Sequence, residues 1–245
     1  MPARNQKFIN NELYHITLRR AGEGLLFQDI DDNYRGIFSI YEFNTLTPVT
    51  IKERRNARLR IKQEIKEGIR DPGLGIDTRD KLVEVLVFCL MPNHIHLLLK
   101  QLKEGGISKY INKMGAGYPT YFKKKYNIDR KGHFFQDRFN ATHIKSDEQL
   151  ITAFIYIHIN PISLIEPGWK ESGIKNSEKA VRFLEENYKW SSLWDYIGVR
   201  NFPSVTERKL FIDLMGSEQK CKELIKDWVR NKNPRPGSRK ASRKA

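Results

Sequence analysis

The chain is short of cysteine, of acidic residues and of long apolar runs. Two cysteines, Cys89 and Cys221, in 245 residues cannot make a disulfide framework and lack metal-ligand spacing, which fits a reducing compartment. Cys89 lies inside the apolar run VEVLVFCL and reads as a small core residue. No stretch approaches about 18 consecutive apolar residues, so no transmembrane helix and no membrane partner are expected. The first residues, MPARNQKFINNELYH, lack the apolar run of a secretory signal, and the expected location is the cytoplasm. Internal repeats are absent as well.

What is present is a hydrophobic fraction of 39% beside 30% charged residues, enough to bury a core. The length suits one large domain, or one of about 150–200 residues with an appendage. Lysine and arginine number 44 against 29 acids, giving a net charge of +15. An excess of that size points to a polyanionic partner, most often nucleic acid, because neutralising phosphates releases condensed counterions. Part of it sits in the final segment, NKNPRPGSRKASRKA (231–245), which has no acid and reads as a disordered basic tail.

Pattern and punctuation order the rest. YHITLRR (14–20) has strand character, and a first helix is expected from about Asp31. Thr50 with Glu53 predicts a capping box opening a strongly basic helix, stopped by Asp71-Pro72-Gly73. LVEVLVFCLMP (82–92) and HIHLLLK (94–100) read as two strands of a hairpin turning at Pro92-Asn93. Residues 107–127 look helical, with a kink or break expected from Gly115, Gly117 and Pro119. HFFQDRFNATHI (133–144) reads as another strand, and Ser146 with Gln149 as a second capping box, opening a helix ended by Pro161. A tryptophan-rich patch (188–198) and a helical segment (206–230) follow. The order predicts an α+β layer sandwich with a mainly antiparallel sheet.

Two constellations carry chemistry. In a strand, residues i and i+2 share a face, so His94 and His96 project side by side. Two close imidazoles are half of a metal site, although a polar pair on a solvated sheet face has the same spacing. In FIYIHINP (154–161), Tyr156 and Asn160 stand at i and i+4 on a helix otherwise covered by apolar residues. Such a pair is either structural or aimed at a site. His158 should point away from Tyr156 and is the poorer ligand candidate.

These residues resemble the HUH single-tyrosine (Y1) transposases of the IS200-like superfamily, and within it the REP-associated tyrosine transposases. The resemblance runs through YHITLRR, FCLMPNHIHLLL, GHFFQDRF, YIHINPI and KWSSLWDYIG in that order, over residues 8–165 and a short block at 188–198. It implies a ferredoxin-like fold with the histidine pair on a central strand and the tyrosine on a neighbouring helix. It implies a divalent ion, Mg²⁺ or Mn²⁺, held by His94, His96 and Asn160, with Tyr156 as nucleophile. The organisation expected is a catalytic domain over 8–165 with an enlarged segment at 44–80, a helical appendage over 166–230 and the tail. Phe135, Asp137 and Asn140 depart from the family's GHLWQGRFK-like motif, and Asp137 would alter how phosphates are met nearby.

A free tyrosine has a pKa of about 10, so its phenolate is scarce at neutral pH. A metal ion on the scissile phosphate would ease attack by the phenol oxygen, leaving a 5′-phosphotyrosine link and a free 3′-OH. Another 3′-OH can reverse the step and rejoin strands without ATP. The implied partner is single-stranded or hairpin DNA, bound by a monomer or homodimer. Arg19, Arg20, Lys123, Lys124 and Arg138 are the candidate phosphate contacts, with Tyr121 and Tyr126 available for stacking. The rivals are a domesticated hairpin-DNA binder that does not cut, and a zinc hydrolase using His94 and His96 with a further histidine or carboxylate.

Overall fold

Alternation in YHITLRR sends Tyr14, Ile16 and Leu18 into a hydrophobic core and leaves His15, Thr17 and Arg19 on the other face of strand β1 (Leu13–Arg19). A computed structural model describes residues 7–69, 77, 79–129, 132–136 and 138–231. The Asp71-Pro72-Gly73 stop signal, Asp137 and the tail from 232 onward lie outside the described residues.

β1 is followed by helices α1 (Ile30–Glu42) and α2 (Ile51–Lys66) and by the hairpin strands β2 (Val83–Met91) and β3 (His94–Gln101). Helix α3 (Gly106–Lys125), strand β4 (Asn140–Ile144) and helix α4 (Asp147–Ile159) come next. The sheet order is β2-β3-β1-β4 with every neighbouring pair antiparallel, the ferredoxin-like arrangement of a β-α-β-β-α-β chain with one extra helix. Helices α1 and α3 cover one face, over Ile16, Leu18, Leu97 and Leu99. Helix α4 covers the other, over Leu98, Cys89 and Met91.

Antiparallel partners share a face, so the register decides what stands beside the histidines. Thr17 pairs with His96, and Arg19 with His94. On the other flank, Cys89 pairs with His96 and Met91 with His94. A bulge between Val85 and Val87 puts Leu86 and Val87 in the same core, which keeps Cys89 and Met91 on the histidine face. The continuous apolar reading of β2 reflects this strand's burial on both faces.

Several local expectations change. Helix α1 begins at Ile30, with the Asp29 side chain capping Asp32 N at 3.0 Å. Thr50 makes no side-chain cap; the first turn of α2 is held by Arg54 N to Thr50 O at 3.0 Å and by an Arg54–Glu42 ion pair at 3.6 Å. Ser146 does cap α4, accepting from Gln149 N at 3.3 Å, while Gln149 Oε1 accepts from Lys145 N at 2.8 Å. Such a cap contributes about 1 kcal/mol. Helix α3 runs unbroken through Gly115, Gly117 and Pro119. Its buried stripe, Tyr110, Met114, Tyr118 and Phe122, packs on both sides of the proline and offsets a cost of about 3 kcal/mol. Gly117 is there for packing: a Cβ would lie 2.1 Å from Phe43 Cζ. The strand expected over 133–144 is a ladder only at Asn140–Ile144, with one isolated bridge between Phe135 and Arg20. Phe134 and Phe135 both pack on the α1–α3 core, which breaks the alternation a strand needs.

Beyond α4 a 3₁₀ turn (Asn160–Leu164) leads to short helices α5 (Trp169–Ser172), α6 (Ser177–Arg182) and α7 (Leu193–Tyr196), then α8 (Lys209–Met215) and α9 (Glu218–Asn231). The KWSSLWDYIG block lies along the outer edge of β2: Leu90 N donates to Trp190 O at 2.9 Å and Ser192 N to Phe88 O at 3.0 Å. It covers an edge that would otherwise present unpaired backbone groups. Trp190 packs against both cores, and Trp194 Nε1 donates to Leu184 O at 2.9 Å, so both serve packing. Among the described residues, no helix is long and apolar enough to cross a membrane.

Candidate active site

Where β1, β3 and α4 meet, the sheet face turns from apolar to polar. Leu98 packs beneath α4, while His96, His94, Thr17 and Arg19 continue the same face toward the end of the strands. A cavity of about 550 Å³ opens over them, also lined by Asn140, Tyr156, Asn160, Trp169 and Lys170. Residues from both sides of position 165 therefore form its wall.

Helix α4 supplies Tyr156 as the exposed position in a run whose neighbours Ile155, Ile157 and Ile159 are buried. Its ring lies 5.7 Å from that of His96 and 5.8 Å from that of His15. Asn160 is 1% exposed. Its Nδ2 donates to Tyr156 O at 2.8 Å, which fixes the amide and turns Oδ1 toward Lys170 Nζ, 2.9 Å away. Lys170 Nζ also donates to the Tyr156 hydroxyl at 3.3 Å. His158, as expected, points elsewhere, with Nε2 2.8 Å from Ser192 Oγ in the core.

The histidines are held from behind. His96 Nδ1 lies 3.0 Å from His15 Nε2 and 3.2 Å from Thr17 Oγ1, whereas His96 Nε2 is buried without a hydrogen-bond partner. His94 Nδ1 lies 2.6 Å from Asn93 Oδ1, and the two rings are 4.7 Å apart. Burial lowers His96 to about 2, helped by neighbouring His94, His15, Lys170 and Arg19. It lowers His94 to about 4, with Arg19 and Lys170 adding to the effect, and His15 to about 4. All three imidazoles are neutral at pH 7, the form that ligates metal.

A second-strand partner at Nδ1 and a bare buried Nε2 are what a ligating histidine needs, since a hydrogen bond at one ring nitrogen sets the tautomer and aim of the other. With His94 and the oriented Asn160 oxygen the donors are neutral nitrogen and oxygen atoms, a set that fits a divalent cation. Among the described residues, no group of three His, Cys, Asp or Glu side chains is assembled to hold a metal.

The five basic candidates are not brought together. Arg19 lines the Tyr156 cavity. Arg20 points to the opposite face, with its guanidinium 4.2 Å from the Phe134 ring centroid and 4.8 Å from that of Phe122. It lines a separate cavity of about 270 Å³ with Lys123, and burial lowers its pKa. Lys124 borders a third cavity, beside Arg35 and Lys113, and Arg138 is exposed. Tyr121 and Tyr126 donate to buried Asp32 at 3.0 and 2.7 Å, so their hydroxyls serve the fold. Sequence reasoning missed His15, Thr17 and Lys170. The alternation of β1 marks the first two; Lys170 has no local signal.

Residues 47–160 match the model of the family described as "Transposase IS200 like". That segment carries His94, His96, Tyr156 and Asn160 and is similar to the IS200-like transposases over that length. A solved structure described as "Structure of the REP associates tyrosine transposase bound to a REP hairpin" aligns with 85% of this chain and 96% of that one, at 15% identity and a TM-score of 0.40. No curated protein matches the chain.

Proposed function

We propose that the protein cleaves and rejoins single-stranded DNA through a covalent intermediate on Tyr156, at hairpin or repeat sequences. The observation that carries this reading is the Tyr156 hydroxyl, which faces the same cavity as His94, His96 and Asn160. Attack forms the Tyr156 Oη–phosphorus bond and breaks the bond from phosphorus to the 3′ oxygen. The chain keeps a 5′-phosphotyrosine, and the 3′-OH departs with a proton from water. The same groups catalyse the return step, in which an incoming 3′-OH displaces the phenol oxygen.

His94 Nε2, His96 Nε2 and Asn160 Oδ1 would hold a divalent ion, Mn²⁺ or Mg²⁺. When bound, the ion would neutralise and orient the scissile phosphate. The protein's own part is to hold those donors neutral, and to present Tyr156 beside them from the same chain. Because Tyr156 stands against its own chain's histidines, a monomer can complete the site. On this reading residues 8–165 supply His94, His96, Tyr156 and Asn160, Trp169 and Lys170 complete the cavity wall from beyond 165, and Arg19, which lines the same cavity, would meet the reacting strand. The zinc-hydrolase alternative calls for a third histidine or carboxylate, and His15 meets His96 through Nδ1, away from the orphaned Nε2.

The test is adduct formation with labelled hairpin oligonucleotides and Mn²⁺ on a denaturing gel. A metal-dependent adduct lost in Tyr156→Phe supports the reading. Tight hairpin binding without an adduct favours a non-cleaving DNA binder.

A further inference from the structure

We infer that Lys170 is a catalytic residue that stabilises negative charge on the Tyr156 oxygen; the inference rests on the strand-transfer reading above. Its ammonium donates to the Tyr156 hydroxyl at 3.3 Å and to Asn160 Oδ1 at 2.9 Å, and lies 4.9 Å from the tyrosine ring centroid. Three contacts from one flexible side chain converge on the nucleophile and the amide beside it.

The backbone around Lys170 is built to hold that position. Gly168 adopts a left-handed φ of 85°, and Trp169 is buried against Trp228 at 5.9 Å between centroids. Gly173 N donates to Trp169 O at 2.8 Å, closing the short turn of α5. The lysine stem therefore leaves an anchored residue and reaches into the cavity, while Asn160, itself fixed by Tyr156 O, sets where the ammonium stops.

In transfer to DNA the phenolic O–H gives its proton to water as the oxygen–phosphorus bond forms. In the reverse step the phenol oxygen departs carrying negative charge and takes a proton from water. An ammonium already in hydrogen-bond reach of that oxygen strengthens its interaction as the charge grows, in both directions. The effect therefore falls on the chemical step, beyond whatever DNA affinity a cavity lysine adds.

The experiment measures single-turnover adduct formation with saturating hairpin oligonucleotide and Mn²⁺, together with oligonucleotide affinity by fluorescence anisotropy and the thermal midpoint. Wild type, Lys170→Met, Lys170→Gln and Lys170→Arg are compared. The expected result is a loss of about 100-fold in the rate at saturation for both neutral variants, the scale of removing one preorganised donor from a developing oxyanion. Arginine should restore part of that rate, while affinity and thermal midpoint stay near wild type. Two results would overturn the inference: wild-type rates at saturation in the neutral variants, or a loss confined to affinity, which would make Lys170 a phosphate contact. If wild type itself gives no Tyr156-dependent adduct, the strand-transfer reading falls. If wild type reacts and Lys170→Met equals it, the role of Lys170 alone falls.

Discussion

His15 on β1 and His96 on β3 meet through their ring nitrogens, Nε2 to Nδ1 at 3.0 Å. With Thr17 Oγ1 on the same nitrogen, one strand decides how its neighbour's histidine faces the cavity. His15→Ala should therefore weaken Mn²⁺ binding by about 10- to 100-fold, the range typical of outer-shell partners, without abolishing it. Thr17→Val should have a smaller effect in the same direction. Titration calorimetry of the two variants decides; unchanged affinity in both would show that the pair only packs.

On the proposed reading, Lys170 and a bound cation would share one oxygen. The ammonium donates to Asn160 Oδ1 at 2.9 Å, and a cation held by the same oxygen would stand near a like charge that repels it. Lys170→Met should bind Mn²⁺ more tightly than wild type, whereas Asn160→Ala should bind it more weakly. Calorimetry in the absence of DNA reads both signs, and equal affinity across all three proteins would remove Asn160 from the ligand set.

Acid should loosen the fold through His158. Burial lowers its imidazole to about 3, against an unfolded value of about 6.5, so the unfolded chain binds the proton more readily. The stability held by the neutral ring is complete above about pH 6.5 and is lost as pH falls toward 3, at up to about 1.4 kcal/mol per unit for one such group. Replacing it by His158→Gln should flatten the fall of the unfolding midpoint between pH 6.5 and 4. A slope equal to wild type would assign the acid lability to other groups, such as His15 and the two site histidines.

Gly117→Ala should cost about 1–3 kcal/mol, because the new methyl meets Phe43 on a packed helix face. The double variant with Phe43→Leu should recover part of the loss. Chemical denaturation of the four proteins in the cycle tests this, and a neutral Gly117→Ala would show that α1 and α3 can separate at little cost.

Residue types and spacing made much of this legible. The alternation in β1 and the hairpin at Pro92-Asn93 fix which residues share a face, so the pairing of His94 with His96 followed from period two alone. Tyr156 stood out because apolar residues fill the rest of its helix. What stayed hidden depends on tertiary contact. Lys170 lies ten residues past Asn160 across a turn, and only the burial of Trp169 brings its ammonium back to the tyrosine. Gly117 and Pro119 resembled breakers because the sequence does not show Phe43 lying against that turn of α3. Arg20 resembled Arg19, yet strand alternation sends it to the opposite face, among Phe122 and Phe134.

On the proposed strand-transfer reading, Tyr156 becomes joined to a DNA 5′ phosphate. The most direct measurement is mass spectrometry of the proteolysed adduct formed with a hairpin oligonucleotide and Mn²⁺. The expected product is a nucleotide joined through its 5′ phosphate to the peptide containing Tyr156, with an equal yield of DNA ending in a 3′-OH. Cleavage with no protein-bound nucleotide, or a nucleotide on another residue, would contradict it.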